Sequence, residues 1–369
     1  MMYLDNGATS FHKPGRVYRA VLDAMKTCAN PGRGGHAAAI RAARRVFQCR
    51  ETAAAFFDCQ PEQVVLTSSC THGLNIAIRS LVKPGDPVLI SGFEHNAVTR
   101  PLHALGAEIR VAGRKLFDWE DTIHSFEQEL RKKPKAAVFT HVSNVFGYVL
   151  PVQRLAQLCR SYNVPFVLDA AQSAGVLPVR LSELGAAFIA MPGHKGLLGP
   201  QGTGLLLCAA PAQCLLQGGT GSASASQQMP DYLPDRLEAG TLNVPGIAGL
   251  EAGMAYLNKV GLQNVFHREH AQLERCAAGL RKLGMQVFAG PNQAGTVSFL
   301  CGMDCEEAAG LLGKEGIAVR AGLHCAPYAH ESAGTLETGT IRVSFGLDAN
   351  EGQTDGFLRA VSKLLPGKP

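Results

Sequence analysis

Lys195 lies in MPGHKGLLGPQGTG, a His-Lys pair enclosed by glycines, and Asp169 ends the apolar run VPFVLDAAQ upstream of it. A lysine amine can form a Schiff base with a carbonyl cofactor, and a carboxylate opposite a pyridine nitrogen keeps that nitrogen protonated so that the ring accepts electrons. Most loop lysines are merely solvated, so GHKG alone does not decide the matter. The pair of Lys195 and Asp169 points to pyridoxal 5'-phosphate, and other residues must be weighed with it.

A phosphate needs a cradle. SSCTHGLN offers a strand-to-helix turn whose backbone N–H groups and hydroxyls could hold an anion, with Thr71 the expected donor; helix capping by Ser69 or Thr71 explains the same residues. His194 could add a donor. His95, in GFEHNAV, could stack on a cofactor ring and exchange protons near neutral pH, or serve only the backbone. Asn144 and Gln172 are amides with reach to a phenolate oxygen.

Cys325 lies in RAGLHCAPYAH with His324 beside it and Arg320 upstream, a setting in which cationic neighbours would make a partly exposed thiol nucleophilic. A cysteine of this kind is otherwise inert packing. Arg342, in TIRVSF, could grip a carboxylate with two hydrogen bonds or form a structural ion pair.

These residues need elements to hold them. From about residue 62 to 210, apolar runs alternate with amphipathic stretches in a β-α-β rhythm, with Pro151 suited to the first turn of one helix. Strands so uniformly apolar are buried on both faces of a mostly parallel sheet, and the candidates stand just past them, where strands run into helices. Residues 218–230 read as a mobile loop. Beyond residue 246 come two helices, strands around GTVSFL, GIAVRAG and TIRVSF, and a terminal helix: a smaller α+β domain. The expected division is 1–12 as an N-terminal segment packing with the small domain, 13–245 as the large domain and 246–369 as the small one.

The 369 residues, 46% hydrophobic and 18% charged, have room for a large core and a second domain. A net charge of +5 is too mild for a nucleic-acid footprint, and Arg41, Arg44, Arg45 and Arg50 fall at helical spacing, as on a solvated or interface face. No apolar stretch is long enough for a membrane span, and MMYLDNGATS has no signal core, so a cytoplasmic protein without membrane or nucleic-acid partners is expected. Eleven cysteines, an odd and irregular set, suit a reducing compartment; Cys301 and Cys305 lack the further ligands of a metal site.

Ordered motifs along nearly the whole chain resemble the cysteine desulfurase and selenocysteine lyase branch of the class V aminotransferases: YLDNGATSFHKP, FEHNAV, THVSNVFG, DAAQSAG, PGHK, RLEAGTLN and RAGLHC. The resemblance implies a fold-type-I α/β architecture, with a mostly parallel seven-stranded sheet plus a smaller C-terminal α+β domain, and a homodimer. It implies that Lys195 bonds the cofactor, Asp169 faces the pyridine nitrogen, His95 stacks on the ring and Gln172 reaches the phenolate oxygen. Thr71, His194 and the turn residue Cys70 would lie at the phosphate, and Thr241 would reach the phosphate of a neighbouring subunit. Asn6, Asn144, Arg320 and Arg342 would hold the amino-acid substrate, L-cysteine. Cys325 would take its sulfur as a persulfide, leaving alanine, for a later acceptor that includes sulfur-acceptor proteins.

Three departures stand out. Pro192 replaces a phosphate-binding serine and has neither hydroxyl nor N–H, Cys70 replaces a threonine, and Leu323 replaces a histidine. The alternative reading keeps the cofactor but changes the reaction to selenocysteine lysis, C–S lysis, transamination or epimerisation, in which Cys325 is not the nucleophile. A non-catalytic pyridoxal protein is a third reading, opposed by the intact Lys195, Asp169 and Arg342.

Overall fold

A computed structural model describes residues 1–32 and 34–366. The elements in chain order begin with β1 (Met2–Tyr3), α1 (Gly15–Thr27), α2 (Ala37–Phe57), β2 (Val64–Thr67), α3 (Cys70–Leu81), β3 (Pro87–Ser91), α4 (Asn96–Ala104) and β4 (Glu108–Ala112). They continue through α5 (Trp119–Leu130), β5 (Ala136–Thr140), α6 (Val152–Ser161), β6 (Phe166–Asp169), α7 (Leu181–Leu184), β7 (Phe188–Pro192) and β8 (Gly204–Cys208). The C-terminal part holds α8 (Val244–Val260), α9 (Leu262–Lys282), β9 (Gln286–Phe288), β10 (Thr296–Leu300), α10 (Cys305–Lys314), β11 (Ile317–Ala318), β12 (Arg320–Gly322), α11 (Pro327–Ala333), β13 (Thr340–Ser344) and α12 (Glu351–Leu364).

Seven strands form the large sheet in the order β2-β8-β7-β6-β5-β3-β4, parallel throughout except for β8, which runs against both neighbours. Successive strand residues serve opposite faces, as a period of two requires. Val64, Leu66, Ala137, Phe139, Leu205 and Leu207 join the core beneath α2, α6 and α8, whereas Val65, Ala136, Val138 and Leu206 join the core beneath α3 and α4. Apolar character on both faces is therefore what these strands needed. Each such buried valine, leucine or phenylalanine is worth about 1.5–3 kcal/mol, and together they fix the strand ends from which the site is built.

The smaller sheet, β12-β13-β10-β9, is antiparallel and packs on α9, α10 and α12 around Leu273, Val297, Phe299, Ile341 and Phe357. Residue 246 falls in the first turn of α8, whose Val244, Ile247, Leu250 and Met254 pack with the large-sheet core, while α9 gives Val265 to that core and Leu273 and Cys276 to the smaller one.

Three local expectations change. GIAVRAG is two strands in two sheets: Ile317 and Ala318 pair in parallel with β1, and Arg320–Gly322 pairs with β13. A short apolar run carries no mark of which sheet takes which half. Pro151 caps α6 rather than entering its first turn. Arg50 is not on a solvated face: it is buried on the α2 stripe with Val46, Ala53 and Phe57, and grips Glu238 and the Val64 carbonyl. Residues 218–230 contain no helix or strand.

Candidate active site

β3, β5, β6 and β7 end around one cavity of about 260 Å³, and the loops leaving them supply its walls. Asp169 is the last residue of β6. Lys195 follows β7 through a turn closed by Gly193 N–H donating to the Thr203 carbonyl (2.8 Å) and Gly199 N–H donating to the Gly193 carbonyl (2.7 Å). The turn cannot carry side chains at its glycines: a Cβ on Gly193 would stand 2.1 Å from Thr203 Oγ1, and one on Gly196 2.4 Å from the Ala174 carbonyl oxygen. Glycine spacing around the His-Lys pair thus records how closely the loop is pressed on its neighbours.

Lys195 is half-buried and lines this cavity and an adjoining one; burial lowers its amine pKa, with Asp169 opposing the shift. Burial likewise raises Asp169, against stabilisation by the Ala171 N–H and by Lys195. Asp169 Oδ1 accepts from Ala171 N–H at 2.8 Å and from the Cys70 thiol at 3.5 Å. Both bonds fall on one oxygen, which leaves Oδ2 for a ligand. Cys70, expected with the phosphate turn, thus aims its sulfur at Asp169 instead.

Ser69 caps α3, its hydroxyl accepting from His72 N–H (3.1 Å). Capping by Ser69 leaves the Thr71 hydroxyl, which lines the cavity, free of that duty. His95 caps α4 through Nδ1, which accepts from Ala97 N–H (3.0 Å), so a neutral ring carries its proton on Nε2. Burial, Lys195 and Arg100 press its pKa down to about 4. His194 is also held near 4 by burial and Lys195, with Nδ1 3.0 Å from Thr9 Oγ1.

On the opposite wall stand Asn144, Arg320, His324, Cys325 and Arg342. Asn144 Nδ2 donates to the His324 carbonyl (2.8 Å), and Asn96 N–H donates to the Cys325 carbonyl (2.7 Å). These two bonds clamp a backbone in which both His324 (φ 48°) and Cys325 (φ 57°) are left-handed, a conformation that costs non-glycine residues energy. Cys325 is the one exposed cysteine among the described residues. His324 does not serve it as a cation: its Nε2 faces the Thr340 carbonyl (3.1 Å), and burial takes its pKa down to about 2. A buried imidazole beside Arg342 loses its proton, which sequence adjacency could not reveal.

Gln172 commits one N–H to the Gly7 carbonyl (2.9 Å) and keeps its place on the cavity wall. Two expected residues are not on this wall. Asn6 lines an adjoining cavity that it shares with Lys195 and Gln172, and donates to the Ser344 carbonyl (3.2 Å). Thr241 lines a separate cavity with His72, Gly202 and Asn243.

Two residues at the site had not been singled out. Asp5 Oδ1 accepts from Arg342 Nη2 at 2.5 Å, and its Oδ2 lies 3.7 Å from Arg320 Nε. Glu94 is fully buried; its Oε1 accepts from Ser91 Oγ and from Thr140 N–H (2.9 Å), its Oε2 has no partner, and burial pushes its pKa up to about 8. Asp5 could have been suspected from YLDN, because two site arginines imply a carboxylate nearby. Glu94 carried a weaker sign, an acid between strand residues and His95.

The donor set fits pyridoxal phosphate. An enclosed lysine with a depressed amine, a buried carboxylate with one unbonded oxygen, a neutral imidazole on the wall and a helix N-terminus with Thr71 at its start meet in one cavity. Pro192 lines it too, at the end of β7, and offers the phosphate no donor.

The aminotransferase class-V family model matches residues 2–357. A probable cysteine desulfurase of Methanothermobacter thermautotrophicus is 32% identical over 359 residues, covering 93% of this chain and 89% of that protein. The apo structure of a cysteine desulfurase from Thermococcus onnurineus NA1 is 30% identical with a TM-score of 0.89, covering 99% of this chain and 94% of that one. A cysteine desulfurase from Escherichia coli, 24% identical, has a TM-score of 0.86 over 98% of this chain and 94% of its own, a likeness of fold. No helix among the described residues is long and apolar enough to cross a membrane.

Proposed function

Because the chain belongs to the class-V aminotransferase family, whose enzymes depend on pyridoxal 5'-phosphate, we propose that it is a cysteine desulfurase that converts L-cysteine to L-alanine and takes the sulfur onto Cys325. The observation that carries this reading is that Lys195, Asp169, Arg342 and the exposed Cys325 line one cavity. When bound, the cofactor supplies an electron sink that makes the bonds at the substrate's Cα and Cβ labile.

The chain's residues divide the remaining work. Lys195, its amine pKa lowered by burial, would be the residue that bonds the cofactor carbonyl and the base for the Cα proton. With the cofactor bound, Asp169 Oδ2 would serve the pyridine nitrogen, His95 the ring face, Gln172 the phenolate oxygen, and Thr71 and His194 the phosphate, all of them residues of this one cavity. Arg342, with its Nε buried and unpartnered, takes the substrate carboxylate, assisted by Asn144 and Arg320. Cys325 Sγ then attacks the substrate sulfur. The S–S bond forms as the Cβ–S bond breaks, the electron pair passes to Cβ, and Cβ takes up a proton, so no external oxidant or reductant enters.

The site reading extends to a homodimer. Thr241 lies in a different cavity from Lys195, so reaching a phosphate calls for a second copy, and Phe11, Tyr18, Leu22 and Met25 expose apolar surface. Cys325 at the rim suits delivery of sulfur to an acceptor, including a protein. Eleven cysteines without a disulfide among the described residues suit the cytoplasm.

The deciding experiment adds L-cysteine and a reductant to the holoenzyme and measures alanine and sulfide for wild type and Cys325→Ala. Equal molar yields, abolished in the variant, are expected. No alanine from the wild type, or wild-type yields from the variant, would transfer the chain to another pyridoxal reaction in which Cys325 is a bystander.

A further inference from the structure

We infer that Asp5 is a specificity-determining residue: it neutralises one of the two guanidiniums at the substrate end of the cavity, so that the site accepts amino acids with one carboxylate and a neutral side chain and disfavours dianionic ones. The inference rests on the reading of Arg342 as the carboxylate grip. Among the described residues lining the cavity, the charge-bearing side chains other than histidine and cysteine are Lys195, Arg320, Arg342 and Asp169. Lys195 and Asp169 are the residues assigned to the cofactor, and the histidines there are held neutral by burial. Two guanidiniums remain, and Asp5 serves both: its Oδ1 accepts from Arg342 Nη2 at 2.5 Å, and its Oδ2 lies within ion-pair distance of Arg320 Nε, at 3.7 Å. These three side chains together leave one positive charge at this end of the cavity, which a single substrate carboxylate cancels.

Asp5 is held in place as part of the fold rather than by the arginines alone. Its segment runs alongside β13: Asp5 bridges to Ser344 in parallel, Ser344 N–H donates to the Leu4 carbonyl (2.8 Å), and Gly7 N–H donates to Ser344 Oγ (2.7 Å). The chain passes so close over Arg342 that a Cβ on Gly7 would lie 3.3 Å from its Cζ. Arg342 is itself buried, at 2% side-chain exposure, whereas Arg320 is 51% exposed and is the guanidinium that a substrate side-chain anion could reach. With Asp5 present, such an anion meets a carboxylate 3.7 Å from the Arg320 guanidinium. Discrimination is then achieved by a repulsive group as much as by an attractive one.

The test titrates the holoenzyme with L-alanine and with L-aspartate, following cofactor absorbance and heat, and compares the ratio of the two dissociation constants. Asp5→Asn should shift that ratio toward L-aspartate by about tenfold or more, as expected for one unit charge near a protein surface. Asp5→Glu should keep the wild-type preference. Arg320→Gln removes a charge at an exposed position and should move the ratio the other way, which keeps the inference testable if Asp5→Asn fails to fold. An unchanged ratio in Asp5→Asn, or equal weakening of both ligands, overturns it. Arg342→Ala separates the two readings: if it binds L-alanine as the wild type does, the role of Arg342 is wrong. If it loses L-alanine while the Asp5→Asn ratio stays fixed, only the inference about Asp5 fails.

Discussion

Glu94 shows how one residue's environment sets both its charge and its service to the site. Its carboxyl ties the loop after β3 to Thr140 at the end of β5, and so positions His95 and Asn96, the latter holding the Cys325 carbonyl. Burial without a partner for Oε2 raises its pKa from 4.5 to about 8, so the folded protein keeps a proton that the unfolded chain releases. The stability this proton confers is complete below the unfolded value and is lost as pH rises through about 8. Glu269, also near 8 through burial, acts in the same direction. Below the ordinary histidine range the buried imidazoles of His95, His141 and His194, held near 4, oppose it, because the unfolded chain then binds more protons. Denaturant unfolding of Glu94→Gln should therefore fall less between neutrality and pH 8 than the wild type, the difference approaching about 1.4 kcal/mol per pH unit. Identical slopes would mean that Glu94 is ionised in the fold.

At the scale of elements, α2 is joined to the segment before α8 by a buried ion pair. Arg50 donates through both terminal nitrogens to Glu238 and also to the Val64 carbonyl, while Leu66 N–H donates to Glu238 Oε1 (2.6 Å). The pair fixes the edge strand β2 to α2 and fixes the chain that leads to Thr241. Replacing one partner strands the other charge without water. Arg50→Ala should cost about 3–5 kcal/mol in denaturant unfolding, and Arg50→Met combined with Glu238→Leu should recover most of it. A cost near zero for the single variant would show that water reaches Glu238. Arg50 was misplaced in the sequence because it recurs with Arg41, Arg44 and Arg45; the competing signal was its helical spacing from Val46, Ala53 and Ala54, which are buried.

At the scale of the whole molecule, α1 leaves Tyr18, Leu22 and Met25 exposed at 58%, 52% and 67%, beside Phe11 and Pro200, around a hollow of about 510 Å³. Four large apolar side chains gathered on one face suit contact with a partner. We predict that Leu22→Asp weakens the proposed dimer, lowering the mass measured by light scattering and speeding loss of cofactor, because Thr241 would then reach no second site. A dimer of unchanged stability would assign the interface to another face.

The sequence by itself determined the layered α/β plan and brought Lys195 and Asp169 forward as residues of one cavity. Uniformly apolar strands can be buried only between two helix layers, and the glycines around Lys195 mark a turn with no room for Cβ atoms. Thr71, His95, Asn144, Asp169, Gln172, Lys195, Arg342 and Cys325 were all legible as residues at strand ends or in glycine-bearing turns, and they do line one cavity. Only the tertiary structure decided what each side chain meets. It brought Asp5 onto Arg342, turned His324 away from the thiol toward Thr340, aimed Cys70 at Asp169, and set Asn6 and Thr241 on other cavities. Periodicity and motif spacing record which way a backbone faces. Charge balance and hydrogen bonding depend on contacts between residues from sixteen to more than three hundred positions apart, which no local pattern encodes.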